Sequence, residues 1–174
     1  HHLDTDFVRR ISHVRMRGSA FKMNLALKAA PDFRGADLRS RLVIAPSVNA
    51  VEDAFDAVKY GEFSTQPVME ITVPSAFEQG FAPEGHHVLS IVAQYAPMEL
   101  KGGWKQGRRK LEKLMRDTLE AYAPGIRKLI IATELLTPPD IEQRYGLVGG
   151  NWHHGELAVE QMLFLRPTAQ TAQY

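Results

Sequence analysis

Phe21-Lys22-Met23-Asn24-Leu25-Ala26-Leu27-Lys28 alternates apolar and polar side chains, with the small Ala26 at one of the polar positions. Successive side chains of a strand point to opposite faces, so a period of two predicts a strand with one buried face. The rest of the chain is then read for the strands that extend this sheet and the helices that cover it.

On its N-terminal side, Asp4 or Thr5 can cap a short helix to about His13, with Phe7, Val8 and Ile11 on one face, broken by Gly18 and Ser19. On the other side, Pro31 and Gly35 mark a loop, and residues 41–45 read as a second strand ending at Pro46. Ser47 or Asn49 can cap a helix carrying Val51, Ala54, Phe55 and Val58, stopped by Gly61. Residues 67–73 form a third strand closed by Pro74. The run from His87 to Tyr95 is apolar enough for the middle of a sheet.

The longest helix is expected from Trp104 to Tyr122, where Trp104, Leu111, Leu114, Met115, Thr118, Leu119 and Tyr122 make one stripe. Residues 128–133 read as a fifth strand, and Thr137-Pro138-Pro139-Asp140 opens a short helix to Tyr145. A last helical segment is expected from Glu156 to Leu165, stopped by Pro167, and residues 168–174 carry no core-forming pattern. Several strands are joined by connections too short for a crossover helix. The expected class is therefore α+β: a mixed or largely antiparallel sheet of about five strands with helices packed on one face.

Composition narrows the function classes. The chain has 174 residues, 44% of them hydrophobic, as expected of one domain with a real core. Lysine and arginine total 21 against 20 acidic residues, a net charge of +1, which lacks the basic footprint of a nucleic-acid binder. The absence of cysteine excludes thiol catalysis, disulfides and cysteine-ligated zinc. No apolar run approaches the roughly 20 residues that cross a bilayer. No signal peptide is expected at His1-His2-Leu3-Asp4-Thr5-Asp6, which has no basic segment followed by an apolar one.

Few motifs carry chemistry. Gly102-Gly103-Trp104-Lys105-Gln106-Gly107-Arg108-Arg109 echoes a phosphate-binding loop, but Arg-Arg stands where Lys and Ser/Thr are required. Gly-x-Gly-x-x-Gly and Gly-x-Ser-x-Gly do not occur. The adjacent pairs His1-His2, His86-His87 and His153-His154 diverge on either regular element, so no metal site is expected. The basic helix from Trp104 through Lys105, Arg108, Arg109 and Lys110 reads as a solvated face or as a peripheral membrane contact. Residues 146–157 are the most unusual stretch. Four glycines are interleaved with Asn151, Trp152, His153 and His154, which reads either as a ligand wall or as a tight turn with a packed Trp.

At these residues the chain resembles a known family. Residues 138–147, Gly149-Gly150-Asn151, His154-Gly155-Glu156, Gln161 and Phe164-Leu165-Arg166-Pro167 are similar to the phytoene dehydrogenase-like FAD-dependent oxidoreductases of the flavin amine oxidase superfamily. Residues 22–27 with Pro31-Asp32-Phe33, residues 54–61, Pro74-Ser75, residues 82–86, residues 94–97 and residues 122–125 fit the same group. Members of that group open with a dinucleotide motif and close with a glycine-rich flavin segment. The resemblance therefore implies a fragment lying between the two, with residues 1–145 as a substrate-binding domain and 146–174 leading back toward an FAD-binding domain.

It further implies hydride transfer from an apolar substrate to FAD, which this fragment alone is not expected to retain. His154 and Arg166 are the expected catalytic residues, the latter offsetting charge on reduced flavin. Gly149, Gly150 and Asn151 are the expected cofactor contacts, and Trp152, Gln161 and Tyr95 the substrate contacts. A cytoplasmic protein, peripheral to a membrane if the basic helix serves that end, fits this picture. The competing reading is a self-contained, non-enzymatic α+β module that binds an apolar ligand or a protein partner.

Overall fold

The computed structural model describes residues 3–17, 19–166 and 168. The expected break at Gly18, the stop at Pro167, His1-His2 and residues 169–174 lie outside the described residues.

Five strands form one sheet: β1 (Ser19–Leu27), β2 (Leu42–Ile44), β3 (Val68–Thr72), β4 (His87–Ala96) and β5 (Ile130–Leu136). Their order is β2-β3-β4-β1-β5, and every neighbouring pair is antiparallel. The chain is α+β, as its sequence implies. The alternating stretch lies in β1, an interior strand flanked on both sides by partners from much later in the chain. Because β4 and β5 are each antiparallel to β1, they run parallel to each other. A parallel return needs a crossover, and the helix α3 (Trp104–Tyr122) supplies it.

The period of two decides what is buried. Phe21, Met23, Leu25 and Leu27 of β1 join Leu89, Ile91 and Ala93 of β4 and Met69 and Ile71 of β3 in one core. Leu111, Met115 and Leu119 of α3 close that core from the same side, at the helical spacing expected. Arg116 of α3 reaches Thr133 of β5 on this face at 2.8 Å. The intervening positions Lys22, Asn24, Ser90, Val92 and Glu134 stand on the other, only partly covered face.

Three smaller helices complete the molecule: α1 (Thr5–Ser12), α2 (Ala50–Lys59) and α4 (Pro138–Tyr145). Asp4 caps α1, accepting from the amides of Asp6 and Phe7 at 2.8 and 3.1 Å. Among the described residues no helix is long and apolar enough to cross a membrane. Trp104 is turned inward, donating its indole N–H to the Met98 carbonyl at 2.9 Å and stacking near Phe63.

Two elements differ most from expectation. β5 starts at Ile130 rather than Lys128, because Gly125 in a left-handed conformation opens a 3-10 turn over Ile126–Lys128. The helix expected from Glu156 to Leu165 is instead two 3-10 turns, Val159–Gln161 and Leu163–Leu165. Met162 between them is extended and Leu163 has φ 52°, which no continuous α-helix accepts.

Candidate functional site

The only partly covered face of the sheet acquires a wall at one end. β5 ends at Leu136, and Thr137 turns the chain directly into α4. Thr137 and Asp140 form a capping box, in which the Asp140 carboxylate accepts from the Thr137 amide at 2.7 Å and from its hydroxyl at 2.6 Å. Arg108 of α3 binds the same carboxylate at 2.5 and 2.6 Å and the Leu135 carbonyl at 2.7 Å. Burial pushes the Asp140 carboxyl up, but these donors outweigh it and hold its pKa below the usual 3.8. The start of α4 is thus tied to the helix on the far side of the sheet.

From α4 the chain enters residues 146–157, and Gly150 fixes the approach. It has φ 62°, and a Cβ there would meet the Pro138 backbone at 2.4 Å. Only glycine lets this loop lie against α4. A Cβ on Gly149 would likewise meet Met16 at 2.9 Å, while its amide donates to Glu142 at 2.9 Å. Asn151 is buried. Its side-chain oxygen accepts from the His153 amide at 2.9 Å, and its amide group reaches the Met16 carbonyl at 3.5 Å. These three residues, expected at a cofactor, therefore make contacts within the chain that give the loop its shape.

Arg166 ties the loop off from below. Its guanidinium donates to the carbonyls of His153, Gly155, Glu156 and Gln161 at 2.6, 2.9, 3.3 and 2.5 Å. Gln161 grips the backbone of Arg15, accepting from its amide at 2.9 Å and donating to its carbonyl at 3.2 Å. Glu156 receives Arg17 as a two-pronged pair at 3.0 and 3.1 Å. Arg166 and Gln161 thus hold the loop to residues 14–17, and neither lines the two grooves described next. His154 is exposed at φ 56° and is likewise outside both.

Trp152, 44% exposed, stands where those two grooves meet. One, of about 270 Å³, has a mixed polar and apolar lining and lies against α2, with Arg17, Glu52, Gln94, Tyr95 and His153 on its walls. Tyr95 is half-buried, packed edge-on to Phe55 at 5.5 Å, and burial, helped by Glu52, pushes its hydroxyl pKa up. The other groove, of about 320 Å³, is almost wholly apolar and lies between the sheet and α4. Phe21, Val92, Leu136, Ile141, Tyr145 and Leu147 are among its walls. Of the residues expected at the substrate, Trp152 and Tyr95 are thus brought to one place and Gln161 is not.

The sequence reading missed Lys22, which also lines the apolar groove. Its ammonium donates to Ser90 Oγ at 2.7 Å, and burial lowers its pKa although Glu134 works the other way. In the sequence Lys22 looks like any other polar position of an alternating strand, the side turned toward solvent. That reading holds until α4 is seen to roof it.

No family model matches the chain. It is 34% identical, over 182 aligned residues, to pyridine nucleotide-disulfide oxidoreductase domain-containing protein 2 of Mus musculus and to that of Rattus norvegicus. Each comparison covers 97% of this chain and 31% of the relative. The chain therefore spans about a third of the length of the curated relatives it matches.

Proposed function

We propose that this chain is the substrate-holding part of an FAD-dependent oxidoreductase, similar to the phytoene dehydrogenase-like enzymes, that oxidises or desaturates an apolar molecule. The observation that carries this reading is the apolar groove of about 320 Å³ between the sheet and α4, with Trp152 at its mouth. Its size and lining are those of a small-molecule site. The names of the two mammalian relatives support the oxidoreductase class.

When bound, FAD supplies a two-electron acceptor for a hydride. What this chain's residues do is orient and dry the substrate. Val92, Leu136, Ile141 and Leu147 exclude water from its apolar body. Trp152 borders both grooves, Tyr95 walls the one against α2, and Arg166 fixes the loop that carries Trp152. Gly149, Gly150 and Asn151 contribute to the cofactor's surroundings by shaping this loop, since their side-chain positions are already filled by Met16, Pro138 and the turn itself. His154, exposed on the same loop, is the side chain available for a polar contact to substrate or flavin.

The test is a flavin spectrum on the natural gene product. It should be yellow and should bleach without oxygen when given an oxidisable apolar substrate, and Trp152→Ala should raise the substrate concentration needed. A colourless natural product that neither binds nor reduces added FAD overturns the reading.

A further inference from the structure

The apolar groove is not uniformly apolar. Its floor is the only partly covered face of β1 and β4, and on that floor stands Lys22. An ammonium carries three donors, and among the described residues the hydrogen bond recorded for Lys22 is the one to Ser90 Oγ. The acid that faces it is Glu134, across β1 on β5, and that carboxylate is already matched. Asn24 donates to one of its oxygens at 2.9 Å and Arg144 to the other at 2.5 Å, and Arg144 brings a full positive charge. Lys22, Glu134 and Arg144 together leave one unit of positive charge on the half-buried floor of an apolar groove. A cation in such surroundings strongly favours a ligand that brings the opposite charge.

We propose that the groove takes an amphipathic carboxylate, its hydrocarbon chain lying between Val92, Ile141 and Leu147 and its carboxylate received by the free donors of Lys22. Ser90 is a positioning residue, holding the ammonium over the sheet. This specificity rests on reading the groove as the substrate wall, but its test needs no flavin.

The isotope-labelled chain is titrated with octanoate, 1-octanol and octylammonium, followed by the backbone signals of Gly150 and Ser90 and the indole signal of Trp152. Octanoate should move these signals and bind about tenfold or more tightly than the alcohol, with octylammonium no tighter than the alcohol. Lys22→Met should bring octanoate down to the affinity of octanol while leaving octanol unchanged, and Ser90→Ala should retain a preference for octanoate. Equal affinity for the three probes in the unaltered chain, or no binding at the groove, overturns the proposal without any variant having to fold. A preference that survives Lys22→Met overturns it too. If the natural gene product proves flavin-free while octanoate still binds, the oxidoreductase reading falls and the carboxylate site stands. If the product is flavin-loaded and the probes are not discriminated, the reverse holds.

Discussion

Single residues in the 146–166 region divide by whether their neighbours can yield. At Gly150 the atoms in the way are the backbone of Pro138, which cannot move without dragging the first turn of α4. Gly150→Ala should therefore cost about 2–5 kcal/mol in denaturant unfolding, combining a left-handed alanine with an overpacked contact. Gly146 has φ 70° but nothing within 4 Å of its missing Cβ, so Gly146→Ala should cost only about 1–2 kcal/mol, the backbone part alone. Equal losses at the two sites would show that the loop does not lie on α4 as described. Arg166→Lys makes a complementary comparison. One ammonium cannot span four carbonyls, so about 1–3 kcal/mol should be lost despite the retained charge. His154→Ala, on an exposed side chain, should leave the melting temperature in place and slow flavin reduction in the natural gene product. Unchanged reduction and substrate affinity would remove His154 from the site.

At the scale of elements, the capping box of α4 is the piece with a pH signature. The folded pKa of Asp140 lies below its ordinary value, so the ionised carboxylate is bound more strongly in the folded state. Its contribution is complete above the usual 3.8 and is lost as pH falls from there through the lower folded value. Asp140→Asn should be less stable than the parent at neutral pH, and the gap should narrow across that acidic interval. A gap that stays constant down to pH 2 would mean the ionised form is not what holds α4. Elements governed by periodicity were legible in advance. The stripe of α3 and the alternation of β1 depend on residues three, four or two apart, which a sequence displays directly. The final helix was misread because its apolar spacing is real, yet Arg166 reaches back to the carbonyls of 153–161 and the chain turns twice to meet it. The groove was half legible. Trp152 and Tyr95 stood out by chemistry, whereas Lys22 and Ile141 become neighbours only when β1 and α4, more than a hundred residues apart, are placed together.

For the molecule as a whole, the strand order sets a gradient of stability. β1 and β4 are paired on both sides, while β2 and β5 are edges, and β2 has only three residues. Amide exchange should be slowest in β1 and β4 and fastest among strand residues in β2. Uniform protection across the five strands would contradict this order. β1 precedes both of its neighbours, β4 and β5 following some sixty and one hundred residues later along the chain. Gln161, which binds Arg15, comes later still. Until residues 130–136 exist, one whole flank of β1 has no ladder partner, so a polypeptide cut short of them would expose an open strand that the finished sheet conceals.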